Sequence, residues 1–234
     1  MGVGMTTKLH GEDNFTWRGA DVSRLENLSD IVFALVITLA AAQTVPTRFE
    51  ELTSLWRDAI SLAACFAYLL VIWRMHHVFF RRYDLQDNTT MVLNAIILFL
   101  VLVYIYPLKF MTDFVTNYFT GAYDMAEIPA ILSLVQVKYL YVIYGLFFAG
   151  LYGAFALLYA HALRRADDIG LNARERSYTR FEIEQAIGVC ILTAIVIAAA
   201  FVLPQILAPF AGILFSLMGA NSYLCAKRAE ARLA

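Results

Sequence analysis

Residues 24–44, RLENLSDIVFALVITLAAAQT, decide how the rest of the chain is interpreted. An Arg, a Ser and an Asp stand at one end of a short apolar run built largely from small residues. Alanine occupies positions 34, 40, 41 and 42, and threonine or glutamine occupies positions 38, 43 and 44. Small and hydroxyl residues are enriched where membrane helices meet other helices rather than lipid. The stretch therefore predicts a helix that packs against protein or lines a passage.

The composition of the whole chain places this helix in a membrane. Of 234 residues, 61% are hydrophobic and only 16% are charged, and the mean hydropathy is +0.65. Several apolar runs reach the roughly 20 residues that a helix needs to cross a bilayer. A β-barrel is excluded because runs such as residues 191–203 do not alternate polar and apolar side chains. We predict an all-α integral membrane protein with lipid as its surroundings and no nucleic-acid partner.

Turn residues and polar stretches divide the chain into six predicted transmembrane helices. Residues 1–23 form a loosely ordered N-terminal tail, residues 24–228 a single transmembrane domain, and residues 229–234 a C-terminal tail. Pro46 ends the first helix, and an outer segment at 111–129 follows the third. The six helices are expected at about 24–44, 58–81, 89–110, 131–164, 181–203 and 206–226.

The distribution of basic residues predicts the orientation. With the N-terminus inside, only four of the 18 Lys and Arg residues fall in outer segments: Arg48, Arg57, Lys109 and Lys138. Basic residues concentrate on the cytoplasmic side of membrane proteins. Both termini are therefore predicted to be cytoplasmic.

Polar side chains at membrane depth are costly, so each suggests a function or a partner. Three helices place such groups at a similar inner depth: Arg24, Ser29, Asp30, Trp73, His76, His77 and Asn94. They could form a hydrogen-bonded cluster that locks the helices together. They could also take part in ion passage or a proton relay, because histidine titrates near neutral pH. The adjacent histidines point to different helix faces, so a metal site is not expected, and no catalytic constellation indicates an enzyme.

The apolar half of the first helix carries a stripe at spacings of four and three. Its members are Ile31, Leu35, Leu39 and Ala42, with Thr38 on an adjoining face. One interpretation is an ordinary helix–helix contact. The other is a pore lined by apolar rings, which gate ion passage by excluding water.

At these positions the chain resembles a known family, the endolysosomal potassium channel transmembrane protein 175 and its prokaryotic relatives. The family motif of Arg, three residues and Phe-Ser-Asp stands here as Arg24 followed by Leu28-Ser29-Asp30. The resemblance extends through Thr38, through Trp73 and His76 in a W-x-x-H pattern, and through Asn94 with an apolar run ending in Pro107. It is specific over residues 24–107.

The resemblance implies a potassium-permeable channel of a bacterial inner membrane. Four six-helix subunits would surround a pore lined by the first helix, and the polar residues would form a supporting network. Leu35 and Leu39 would form the constriction, with Ala42 as a wider third level, and Thr38 would bear on selectivity. Potassium, and other monovalent cations or protons, would be permeant species, and no cofactor is expected. Leu28 in place of Phe and the small Ala42 are departures that bear on gating and selectivity.

Two other classes of function stay open. A proton-conducting pathway or proton-coupled carrier would use Asp30 with His76 or His77. A structural or partner-binding membrane protein would pass no ions.

Overall fold

The computed structural model describes residues 15–42, 49–122, 132–205 and 207–232, in which every regular element is a helix. In chain order the elements are α1 (Arg24–Ala42), α2 (Phe49–Tyr83), α3 (Asn88–Phe119), α4 (Leu134–Arg164), α5 (Ala173–Val202), a 3₁₀ helix (Ala208–Ser216) and α6 (Leu217–Ala231). Helix α3 packs against α1, α2 and α4, while α5 packs against α4, α6 and the 3₁₀ helix. One apolar core joins α1, α2, α3 and α4, and a smaller one lies between α5 and the 3₁₀ helix.

Five of these helices, α1 to α5, are long and apolar enough to cross a bilayer within the described residues. Their outward surfaces carry large apolar side chains, such as Leu146 and Leu157 on α4 and Ile191 and Ile195 on α5. Such a surface is stable when lipid rather than water surrounds it. The predicted all-helical membrane architecture is therefore confirmed.

The sixth predicted span, at 206–226, has a different form. The chain turns after α5, where the Leu207 amide donates to the Pro204 carbonyl at 2.8 Å. It then forms the 3₁₀ helix and the 15-residue α6, which extends to Ala231. The single long helix that the sequence predicts is thus replaced by two shorter segments.

Two helices begin earlier than predicted. Helix α2 starts at Phe49 instead of near residue 58, because the polar segment after Phe49 is rich in good helix formers and continues the helix beyond its apolar span. Helix α5 starts at Ala173 instead of near residue 181. A capping box formed by Asn172 and Glu175 satisfies its first amides, so the charged turns after it are helical.

Helix α3 ends nine residues later than predicted, at Phe119. Pro107 lies inside it, and the predicted outer segment is helical up to that point. The end is set by Gly121, whose φ of 68° is left-handed, and by the Ala122 amide, which donates to the Asn117 carbonyl at 2.9 Å. This is a Schellman motif, in which glycine carries no steric penalty.

The helix at the other side of that segment, α4, is capped by Ser133 and Gln136. Its predicted start at 131, the end of the first helix at 43–44, Pro46 and residues 123–129 lie outside the described residues.

Candidate pore helix and its polar network

Helix α1 begins with a capping box. The Glu26 amide donates to the Ser23 hydroxyl at 3.2 Å, and the Ser23 amide donates to the Glu26 carboxylate at 2.9 Å. Two amides that would otherwise lack partners are satisfied, which fixes where the helix starts. The helix begins at Arg24.

One face of α1 is buried in the bundle. Ser29, Phe33, Val36 and Ala40 repeat at spacings of four and three, and they pack towards α2 and α3. The small side chain of Ala40 allows close packing at the outer end. This face makes α1 an integral part of the bundle.

The opposite face of α1 is uncovered. Ile31 and Leu35 are 66% and 49% exposed, and Thr38 and Ala42 are exposed on the same side. Leu39 is half-buried and lies at the edge of this face, since it is 100° away from Thr38 around the helix. The uncovered stripe therefore runs through Ile31, Leu35, Thr38 and Ala42, with Thr38 at its centre rather than beside it.

The hydroxyl of Thr38 is occupied by its own helix. It donates to the Ala34 carbonyl at 2.9 Å, so its hydrogen is used and both lone pairs of its oxygen can still accept.

A buried hydrogen-bonded chain connects three helices, α1, α2 and α3. The Asn94 amide of α3 donates to the Ser29 hydroxyl at 3.0 Å, and the Asn94 carbonyl oxygen lies 2.6 Å from Nε2 of His76 on α2. Ser29 in turn donates to the Leu25 carbonyl at 2.8 Å. Because the Asn94 oxygen can only accept, His76 donates from Nε2. All three side chains are buried and mutually satisfied, so they lock α1, α2 and α3 together.

A second group lies nearer the surface. Trp73 Nε1 donates to the Asp30 carboxylate at 2.8 Å, and the His77 ring stacks on the Trp73 ring with centroids 5.3 Å apart. The predicted cluster is thus two adjacent groups, one centred on Asn94 and one on Trp73. His76 and His77 belong to different groups, as their adjacent positions on the helix require.

Arg24 does not join either group. It is exposed, and no hydrogen bond between described residues connects it to the network. It lies seven residues before Ile31 and therefore on the uncovered face of α1, away from α2 and α3. Membership of Arg24 in the network stays a prediction.

A small cleft of about 90 Å³ opens beside these groups. Its walls include Asp30, Trp73, His76 and His77, together with Glu26 and Arg81. Polar walls of this kind can hold water. Within the described part of the chain, no set of three side chains suited to hold a metal ion is present.

Two charged clusters were missed by the sequence interpretation. In the second half of α3, Lys109 is almost fully buried and pairs with Asp113, which also accepts from the Ser61 hydroxyl of α2 at 2.5 Å. The i,i+4 spacing of Lys109 and Asp113 could have indicated this pair. Ahead of α1, Arg18 pairs with Glu175 in the first turn of α5, which nothing in the local sequence indicates.

The fold and this site define a class: a multi-pass, all-helical membrane protein with one helix presenting an uncovered stripe. A family model described as endosomal/lysosomal potassium channel TMEM175 matches residues 24–105. A protein of Marivirga tractuosa named potassium channel is 38% identical over 182 residues, covering 76% of this chain and 74% of that protein.

Solved structures agree with this match. A crystal structure of a variant of the potassium channel MtTMEM175, bound to a nanobody–MBP fusion, superposes with a TM-score of 0.83 at 32% identity, covering 93% of this chain and 97% of that one. A TMEM175 homologue from Chamaesiphon minutus superposes with a TM-score of 0.54 at 20% identity, over 88% and 96% of the two chains, and shows the shared fold. The chain belongs to the TMEM175 family, as a prokaryotic member.

Proposed function

We propose that this protein is a potassium-permeable cation channel in which α1 lines the pore. The observation that carries the proposal is the uncovered stripe on α1, opposite a face that the Asn94 chain locks into the bundle. A pore-lining helix needs this division, because one side must be held by protein while the other meets water and ions. Relatives named potassium channels support the permeant ion.

The proposed constriction is hydrophobic. Leu35, the large apolar side chain near the middle of the stripe, forms the narrowest ring, and Leu39 contributes from the edge. Ala42 leaves a wider level above them. Apolar rings can close a pore by dewetting, so ions would pass only when the ring widens enough to hold water.

Selectivity is assigned to Thr38 at the centre of the stripe. Since its hydroxyl donates to Ala34, a passing ion would meet the two lone pairs of its oxygen. Rings of such oxygens can replace part of the hydration shell of an ion.

No covalent step is involved in the proposed ion passage, so the proposed function is transport and not catalysis.

The proposal requires an assembly. A single α1 cannot enclose a pore, so several copies are needed, and we propose four. The excess of Lys and Arg in the predicted inner segments supports cytoplasmic termini, and the relative from Marivirga tractuosa supports a bacterial inner membrane as the location.

The test compares wild type with Leu35→Asn in liposomes and planar bilayers. Asn at a hydrophobic constriction wets it, so we expect potassium conductance or the potassium-to-sodium permeability ratio to change by at least about threefold. Leu146→Asn is the matched control, because Leu146 is 66% exposed on α4 and outside the stripe. Wild-type currents in both variants would show that Leu35 does not line the pore.

The cleft beside Asp30, His76 and His77 favours a second candidate, a proton pathway or proton-coupled carrier. The same liposomes separate the two functions. Proton flux that disappears in Asp30→Asn and persists in Leu35→Asn would favour the second candidate over the channel.

A further inference from the structure

Residues 15–23, here called the strap, lie directly before α1 and are packed onto the inner end of the bundle. Phe15 and Gly19 are buried, although the sequence predicts a loosely ordered tail. The amides of Arg18 and Gly19 donate to the Arg81 carbonyl in the last turn of α2, at 3.0 and 3.2 Å. The strap therefore follows the end of α2 before the chain enters α1.

Hydrogen bonds of the Arg18 side chain hold the strap to the connection between α4 and α5 and to the end of α2. Its Nε donates to the Ile169 carbonyl at 2.8 Å, and its Nη2 donates to the Gly170 carbonyl at 3.0 Å. Both carbonyls belong to the connection between α4 and α5. Its Nη1 also donates to the Arg82 carbonyl at the end of α2, at 3.3 Å. A planar guanidinium can serve several acceptors at once in a way that lysine cannot.

The charge of Arg18 is matched by Glu175 in the first turn of α5. Two nitrogens of the guanidinium donate to the two carboxylate oxygens at 3.2 and 2.8 Å. The Glu175 side chain is fully buried, and it also accepts from the amides of Thr16 and Asn172 at 2.8 and 3.0 Å. Removing one partner of such a pair leaves an uncompensated buried charge, so the pair strongly favours a seated strap.

The strap is connected to α1 by a second arginine. Arg81 donates to the carbonyls of Gly19 and Ala20 at 2.8 and 3.2 Å, and its Nε lies 3.9 Å from the Glu26 carboxylate. Glu26 is the capping-box residue that starts α1. A continuous series of contacts thus runs from Glu175 on α5 through Arg18 and Arg81 to the first turn of α1.

The fit of the strap also requires glycine at position 19. A β-carbon there would lie 3.0 Å from the Phe80 carbonyl oxygen and 3.4 Å from the Arg81 Cα, both of which are backbone atoms. Phe15 packs against Tyr83, with the Arg82 guanidinium 5.0 Å from its ring centroid. Steric fit and charge hold the strap independently of each other.

We propose that the strap is a positioning element that anchors the inner end of α1 to α2 and α5 and thereby sets how often the pore is open. This rests on the proposed channel function. The contacts of the strap described above reach α2, the connection between α4 and α5, α5 and the first turn of α1, so it acts on the position of α1 and not on the chemistry that an ion meets. Loosening it changes open probability and leaves ion selectivity unchanged.

Two variants release the strap by different means. Arg18→Gln removes the charge opposite Glu175, and Gly19→Val adds bulk against the backbone of α2. Arg165→Gln is the control for the first, because Arg165 forms an exposed pair with Asp168 at 3.2 Å on the same side. Ala20→Val is the control for the second, because Ala20 is the exposed neighbour of Gly19.

Two readouts decide the proposal in the full-length protein. Amide hydrogen exchange over residues 15–30 is expected to be at least about tenfold faster in both strap variants and unchanged in both controls. In both strap variants, single-channel open probability is expected to change by at least about threefold, while the permeability ratio stays that of wild type. The open probability of Arg18→Lys should lie between those of Arg18→Gln and wild type.

The outcomes separate this proposal from the channel assignment. Unchanged exchange in a strap variant overturns the anchoring, and faster exchange with wild-type open probability overturns the control of the pore. A lower yield of folded protein with normal gating would give the strap a purely structural role, and this result would also overturn its proposed control of the pore. Absence of any wild-type current overturns the channel function itself, while the exchange data still decide the anchoring.

Discussion

Asn94 is the residue on which the buried chain between α1, α2 and α3 depends. It is fully buried, and it serves Ser29 with its amide and His76 with its carbonyl oxygen. The Asn94 side chain therefore forms hydrogen bonds with two other helices at once, which no aliphatic residue of the same size could do.

Replacement of Asn94 by Ala is expected to destabilise the protein. Leaving the buried Nε2–H of His76 without an acceptor costs about 1–3 kcal/mol, while Ser29 keeps its hydrogen bond to the Leu25 carbonyl. Thermal unfolding in detergent measures the loss, and Asn27→Ala on the exposed side of α1 is the control. A melting temperature equal to that of the control would show that the chain contributes no stability.

At the scale of elements, the helix ends are fixed by side chains more than by hydropathy. Asp87 caps α3 by accepting from the amide and the hydroxyl of Thr90 at 2.9 and 2.7 Å. Its other oxygen lies 2.7 Å from Nε2 of His161, near the end of α4. Burial raises the pKa of Asp87, but these hydrogen bonds and the nearby His161 outweigh it and lower the pKa to about 2.

This lowered pKa predicts the pH range in which the cap contributes. The charged form is favoured by folding, so its contribution is complete above the unfolded value of 3.8 and is lost as the pH falls towards 2. Asp87→Asn keeps the capping oxygen and removes the charge. We expect the difference in melting temperature between wild type and Asp87→Asn to be present at pH 5 and to disappear between pH 3.8 and 2.

Asp87→Ala removes the cap as well and should cost about 1 kcal/mol more than Asp87→Asn at pH 5. A constant difference between wild type and Asp87→Asn down to pH 2 would contradict the assigned pKa.

At the scale of the whole molecule, the arrangement of copies decides whether a pore exists. If α1 lines a central axis, Leu35→Cys in a background without Cys65, Cys190 and Cys225 should form disulfides between subunits upon oxidation. Leu146→Cys on α4 should give none, and light scattering should report four copies. Monomeric Leu35→Cys after oxidation, or a single copy in detergent, would contradict a pore enclosed by α1.

Much of the architecture could be predicted from the sequence because lipid imposes it. Long apolar runs must be helices, and five of the predicted spans are present. The ends of the helices were harder to predict from the sequence, because the charged turns after Phe49 and Asn172 are helical although their hydropathy is that of a polar segment. The sixth span shows the same limit, since hydropathy does not distinguish one long helix from a 3₁₀ helix followed by α6.

The sequence by itself determined that the chain is an all-helical membrane protein of the TMEM175 family, with polar residues on three helices at one depth. Those properties follow from composition and local motif. The tertiary structure alone decided that Asn94 joins Ser29 to His76 and that Thr38 lies at the centre of the uncovered stripe. It alone brought Arg18 to Glu175, 157 positions along the chain, because such a pair depends on how distant helix ends meet in space.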